Sequence, residues 1–500
     1  MELRRNFPVN VLLTLFFTTL GIAVMGYHPG IEDDGVYLTA VKADLNPSLF
    51  PHDAAFFQLQ LRTTVFDTWM AGFVKGTGIP VAWAELLWQS ISVFLVLWAC
   101  WSIVRQLFKE ATARWAGVAM VSAMLTLPVT GTALYIMDQH LHPRNPATAL
   151  ILLAVSRILA RKHWQAVPLV VVAFLLHPLM GALGIFFCCV LALTLFEPLQ
   201  ARLRILRQRM VPDAATPVAA IIPFGWVFDP PSRSWIEAMQ TRHSYQLYRW
   251  AWYEWLGAIG PLVLFWLVAR IARKRGGIEL SRFATAILIY GVCLQVVAMV
   301  ILGPGVPIGL STLEPMRYLH LIYIFMALIG GAYLGRHVLK ARVWRWALFL
   351  LVANGGMFFA QRQLFAGTAH IELPSMAIAN PWLQAFDWIR RNTPEDAYFA
   401  LDPNYTTAPG EDFHSFRALA ERSVLADANK DTATVTKAPE LGPVWQEQQL
   451  AQADWAHFQL ADFERLKAEF GVNWVVVTYP APAGLPCPWH NAVVSVCNVP

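Results

Sequence analysis

Charged side chains are scarce in this sequence of 500 residues: Asp, Glu, Lys and Arg together make up 14% of it, against about a quarter in an average soluble protein. That shortage argues against a soluble chain of the roughly three domains such a length suggests. Net charge is also small, at +5, which leaves a nucleic-acid-binding reading without the concentrated basic surface it needs. No segment repeats at a fixed period and no tract is of low complexity. Cysteine is sparse, with six residues. No small-residue cleavage site precedes "GYHPG" at residues 26–30, so the first apolar segment reads as a retained span and not as a signal peptide.

Hydrophobic surface is abundant: 56% of residues are hydrophobic, 21 are Trp, and the mean hydropathy is +0.45. The expected fold class is a polytopic α-helical membrane protein. Stretches long enough for the hydrocarbon core fall at residues 9–27, 81–104, 115–137, 146–159, 164–176, 180–199, 214–228, 255–269, 283–302, 318–334 and 343–360, about eleven in all. His177 and Pro178 in "LLHPLMG" are expected to turn the chain between two of them. The distribution of Lys and Arg supports the count. With Arg4 and Arg5 cytoplasmic, the basic segments "RQLFKEATAR", "RILARKHW", "QARLRILRQR", "RIARKRGGIELSR" and "GRHVLKARVWR" all fall on that side, and the opposite loops are poorer in basic residues for their length. The expected orientation has the N-terminus cytoplasmic and the C-terminal part outside the cytoplasm.

Two parts are expected: a transmembrane body over residues 1–360, with a large first exterior loop at 28–80, and an exterior α/β domain over 361–500. "NPWLQAFDWIRRNTPEDAYFAL" reads as an amphipathic helix ending near Asn392, a turn and a strand. "ADFERLKAEFGVNWVVVTYP" repeats that order with Gly471 as helix stop, and "AVVSVCN" adds a strand. In the first loop "FFQLQLRTTVFDTWMAGFV" suits a helix lying along the membrane surface. Cys100, Cys188, Cys189 and Cys293 fall inside spans, as buried apolar residues. Cys487 and Cys497 are expected to pair as a disulfide in an oxidising compartment, with two free thiols as the alternative.

The candidate chemistry gathers on one face. Glu32, Asp33 and Asp34 follow the first span in "GYHPGIEDDGVYL"; His52 and Asp53 occur in "LFPHDAAFF"; Asp138, His140, His142 and Arg144 occur in "MDQHLHPRNP". Carboxylates and imidazoles at a membrane surface can hold a hard cation or act as a general base. An extended "DQHLH" would put Asp138, His140 and His142 on one face. The bland alternatives are a solvated cap on the span end for the triplet, a hydrogen-bonded turn for the Asp/His loop, and a turn-capping role for His177. Arg242 and Arg249 in "MQTRHSYQLYRW" and Arg317 in "LEPMRYLH" are candidate phosphate binders, with anchoring to anionic lipid as the alternative.

This layout resembles the membrane-embedded GT-C glycosyltransferase superfamily, whose members use lipid-phosphate sugars, and is similar to uncharacterised bacterial membrane proteins related to its mannosyltransferase group. The resemblance rests on the spans, the long first exterior loop opened by acidic residues, the polar motif after the third span and the exterior tail. It implies that Asp33 or Asp34, with Glu32 beside them, supplies the catalytic base or a metal ligand. In the branch that includes the oligosaccharyltransferases a second acidic motif follows the third span. Asp138 stands there, with His140 in place of the second carboxylate, which leaves a divalent metal (Mg or Mn) on Asp138 and His140 as an open implication.

The expected function is transfer of a sugar from a polyprenyl-phosphate donor to a hydroxyl acceptor on the exterior face. Arg317, Arg249, Arg242, His142, Arg144 and His177 are the candidate phosphate or substrate contacts. The partners are the lipid-linked donor and membrane lipid, with no nucleic acid. The competing readings are a non-catalytic envelope scaffold and a transporter or flippase for lipid-linked solutes. The latter would call for charges deep in the spans.

Overall fold

A computed structural model describes residues 7–196, 231–303 and 306–500. The expected span at 214–228, the basic segment at 200–209 and Arg4 and Arg5 lie outside these residues. The chain opens on α1 (Phe7–Met25). Its 19 residues reach about 28 Å at 1.5 Å per residue, close to the hydrocarbon thickness of a bilayer. Gly26, at φ +81°, ends it in a conformation that favours glycine.

The first loop is folded. A short 3₁₀ turn over Glu32–Gly35 leads into α2 (Tyr37–Leu45), followed by α3 (Ala55–Leu61) and α4 (Phe66–Thr77). "FFQLQLRTTVFDTWMAGFV" is thus two short helices. The chain between them is pinned to the body, where Val65 N–H donates to Leu175 at 3.2 Å and the Thr64 hydroxyl to Leu176 at 2.7 Å.

The body continues with α5 (Val81–Leu107), α6 (Ala111–Ala123), a hairpin of β1 (Pro128–Val129) and β2 (Leu134–Tyr135), α7 (Arg144–Leu159), α8 (His163–Leu176) and α9 (Pro178–Leu195). The expected span at 115–137 needs correction. Its helix stops at Ala123, after a length of about 20 Å that cannot cross a bilayer by itself. "LPVTGTALY" then forms the hairpin because Pro128 cannot continue a helix and Gly131 turns the chain at φ +59°. Between α8 and α9 the turn falls at His177. Its ring Nδ1 accepts from the Met180 N–H at 3.3 Å, capping α9, with Pro178 in the first helical position. The two helices run so close that a Cβ on Gly181 would stand 2.3 Å from the Phe174 backbone.

Beyond come α10 (Arg233–Gln240), α11 (Trp252–Lys274), α12 (Ile278–Ile301), α13 (Leu319–Leu334) and α14 (Val343–Leu364). Seven helical segments among the described residues are long and apolar enough to cross a membrane: α1, α5, α9, α11, α12, the stretch Ile308–Leu339 that contains α13, and α14. The chain is therefore a multi-pass helical membrane protein. Cys100 and Cys188 are buried as expected, whereas Cys189 and Cys293 point outward from α9 and α12. In a bilayer an outward thiol still meets hydrocarbon, so the apolar reading of those sequence positions carried no information about which side of the helix they occupy.

The remaining elements are α15 (Pro381–Asn392), β3 (Tyr398–Ala400), α16 (Phe416–Ala420), β4 (Ser423–Val424), α17 (Lys430–Lys437), α18 (Gly442–Ala451), α19 (Leu460–Phe470), β5 (Trp474–Thr478), β6 (Trp489–His490) and β7 (Val494–Asn498). The strands make one sheet in the order β4-β3-β5-β7-β6, parallel across β4, β3 and β5 and antiparallel across β5, β7 and β6. Apolar clusters cover both faces, one around Phe386, Phe399 and Phe416 and one around Phe463, Leu466 and Val475. Gly471 ends α19 at φ +80°. A disulfide joins Cys487 to Cys497 at the end of the sheet.

Candidate functional site

The acidic triplet sits on the 3₁₀ turn between α1 and α2, and its three carboxyls have different surroundings. Glu32 and Asp33 keep side-chain exposures of 44% and 37%, whereas Asp34 is 1% exposed. Lys430, from the start of α17, reaches back to both exposed acids: Nζ contacts Glu32 Oε2 and stands 3.2 Å from Asp33 Oδ1. The other Asp33 oxygen lies 3.2 Å from His142 Nε2. His142 Nδ1 accepts from the Arg144 N–H at 2.9 Å, so in the neutral ring Nε2 carries the proton and donates to Asp33. Burial would raise the Asp33 carboxyl, yet Lys430, His142 and Arg144 hold it well below the usual range.

Asp34 turns the opposite way. Its Oδ2 accepts from the Gly30 N–H at 2.7 Å, and the carboxyl packs against Glu85 of α5, with the Tyr27 hydroxyl also near Glu85. Burial first, then the Glu85 and Asp33 charges, raise Asp34 well above its usual value, because two carboxylates in one dry site cannot both ionise.

The second polar motif divides among several partners. Asp138 is clamped by Arg144 through two bonds, Nη2 to Oδ1 at 2.6 Å and Nε to Oδ2 at 3.1 Å. Burial opposes ionisation there, but Arg144, His142 and His140 bring the carboxyl to about 2. The His140 ring is 3% exposed with neither nitrogen bonded among the described residues, and Arg144 Nη1 is also left over. Burial outweighs the pull of Asp138 and lowers the His140 imidazole to about 3, so it is neutral at ordinary pH. The side chains of "DQHLH" therefore do not converge as ligands. Both Asp138 oxygens are taken by Arg144, which does not suit a divalent ion on Asp138 and His140. Among the described residues no three His, Cys, Asp or Glu side chains are arranged to hold a metal ion.

His177 joins the same neighbourhood, its ring 5.7 Å from that of His142 and within electrostatic reach of Arg144 and Arg317. Arg317 itself is paired with Glu314 at 2.8 Å, and Lys437 shares that carboxylate at 3.1 Å. Arg242 donates to the Asn429 carbonyl at 2.7 Å and lies within electrostatic reach of Lys430. Arg249 stands apart from the triplet, over the Tyr248 ring. Asp53 is buried in an ion-pair network, 2.5 Å from Arg417 Nε, whose Nη1 holds Asp431 at 2.7 Å.

Reasoning from sequence missed Lys430 and Glu85. A lone carboxylate in the apolar run "VAWAELLWQS" was a legible signal, since an ionisable group in a span is costly and implies a partner. Lys430, in "ANKDTATV", carries no local signature.

Residues 380–437 match a domain of unknown function (DUF6798). No curated protein matches the chain. The matched segment contains Arg417, Lys430 and Asp431, so it supplies the cation that pairs with Asp53 and, alongside His142 from the membrane body, the one that pairs with Asp33.

Proposed function

We propose that this chain is a membrane glycosyltransferase of the GT-C type, moving a sugar from a polyprenyl-phosphate donor to a hydroxyl acceptor. The observation that supports it best is Asp33: a part-exposed carboxylate at the end of a membrane helix, kept ionised by Lys430 and His142. A lipid-linked donor partitions into the bilayer and presents its head group at that depth. The acceptor oxygen bonds to the sugar C1 as its proton passes to Asp33. The bond from C1 to the phosphate oxygen breaks, and its electron pair leaves on the phosphate. An oxocarbenium-like transition state lets a weak base suffice, because C1–O cleavage runs ahead of proton transfer. Lys430 and the spare Nη1 of Arg144 are cationic groups within reach of Asp33 that can steady the leaving phosphate, and Arg317, within electrostatic reach of His177, is held by Glu314.

Asp34 is closed off from an acceptor and acts here as a structural group. Asp33→Asn is expected to lower transfer at least about 100-fold, the smaller end of what a general base contributes. Asp34→Asn, which keeps the acceptor for the Gly30 N–H, retains most of it. The measurement is turnover of radiolabelled polyprenyl-phosphate sugars by the purified chain, with folding checked by thermal melting. Undiminished turnover in Asp33→Asn overturns the assignment.

The topology that goes with this reading has a cytoplasmic N-terminus and residues 361–500 as a periplasmic domain of a bacterial inner-membrane protein, with the segment at 115–137 crossing as α6 together with the hairpin that follows it. The alternation of basic loops supports it. One observation favours a transporter instead: Glu85 is buried in a long membrane helix against a second carboxyl. Flux of a lipid-linked solute in liposomes, without transfer, would favour that reading.

A further inference from the structure

The first loop contains a second feature, a cavity of about 290 Å³ lined from α2, α3 and α4. That volume is near the lower end for small-molecule pockets, enough for a single ring and not for a polymer. The floor is apolar, from Ala40, Phe57 and Leu61, and the walls carry Asp44, Asp67, Arg62 and Gln58. Lys75 lies beside them, donating to the Asp44 carbonyl at 2.8 Å. Two carboxylates against two cations leave the walls close to neutral, so no net field selects an anion or a cation. They present acceptors and donors at close spacing, and Asp67 Oδ1 is buried with no hydrogen bond among the described residues. An apolar floor below mixed donors and acceptors fits an uncharged ligand with one C–H face and a rim of hydroxyls.

The cavity is also a neighbour of the acidic site. The Tyr37 ring packs edge-on to His142 at 4.8 Å, and Ala40, three residues or about 4.5 Å further along α2, lines the cavity. On the far wall Thr64, another lining residue, bonds to Leu176, directly before His177. We infer that this cavity binds a neutral, hydroxyl-rich six-membered ring, the sugar unit of the acceptor. Its identity as acceptor rests on the glycosyltransferase reading; the binding of a sugar does not.

The test is saturation-transfer NMR on the full chain in a sugar-free detergent. The probes are the methyl glycosides of glucose, galactose, mannose and N-acetylglucosamine. At least one is expected to bind, with affinity falling at least tenfold in the doubly substituted Asp44→Ala, Arg62→Ala chain, whose two side chains are exposed. Thr68→Trp, which fills the cavity from another exposed position, provides a second variant if the first melts early. Binding by none of the four, or binding that survives both variants, overturns the inference. Asp33→Asn is expected to keep the sugar while losing transfer, so a failure of the cavity and a failure of the catalytic assignment give different results.

Discussion

At Asp33 one carboxylate oxygen faces Lys430 and the other His142, whereas the Asp34 carboxyl is shut against Glu85. The sequence shows two adjacent acids; the 3₁₀ turn sends them to opposite sides of the chain, and nothing in "EDDG" by itself says which is which. The same limit applied at Asp138, where the spacing of "DQHLH" suggested shared ligation. Arg144, six residues on, instead takes both oxygens. Removing one partner of such a buried pair leaves an uncompensated charge. Asp138→Ala is therefore expected to destabilise the fold by about 3–5 kcal/mol, read by denaturant titration in micelles, while Asp138→Asn, which keeps an acceptor, costs less.

Helices were the most legible elements, because a run of apolar residues constrains their position strongly and their ends carry local signals. His177 and Pro178 marked the turn between α8 and α9, and Gly471 marked the end of α19. The span expected at 115–137 was lost for the converse reason: hydropathy averaged across Pro128 and Gly131 conceals two residues that break a helix. How closely two helices approach is not written in either one. Gly181 shows this: its missing Cβ lets α9 pass the Phe174 backbone, and backbone cannot move aside as a flexible side chain can. Gly181→Val is expected to splay the α8–α9 hairpin, to move His177 at the α9 N-terminus and to reduce the melting temperature. Unchanged melting would contradict this account of the packing.

Across the whole molecule, contacts far apart in sequence join the C-terminal residues to the loop after α1. Glu372 receives His28 Nδ1 at 2.7 Å, and His414, fully buried, stands 3.0 Å from Glu411 and 3.5 Å from Glu372. Burial opposes a charge on His414, but Glu372 and Glu411 raise it to about 10. Burial likewise opposes ionised Glu372, but His28 and His414 bring it to about 2. The His414 contribution to stability is fully present below the ordinary histidine range near pH 6.5 and is lost as pH rises through 10. That of Glu372 is fully present above about pH 4.5 and is lost as pH falls towards 2. The two contributions of this clamp are thus both fully present between about pH 4.5 and 6.5, and the alkaline loss of thermal melting that His414 causes is expected to flatten in His414→Gln. Only the Glu411–His414 pair, three residues apart, is local; His28 stands 344 residues from Glu372, and each member looks like an ordinary loop histidine or glutamate, so the clamp was not legible.

The contact between Lys430 and Asp33 closes a separation of 397 residues. At ribosomal rates of about 5–20 residues per second, Asp33 is made roughly 20–80 s before its lysine exists. During that interval the membrane helices can insert and pack while the acid lacks the cation that holds it ionised. A chain released early would carry the membrane body without Lys430, so translation itself delays completion of the site until the segment matched by the domain of unknown function has emerged.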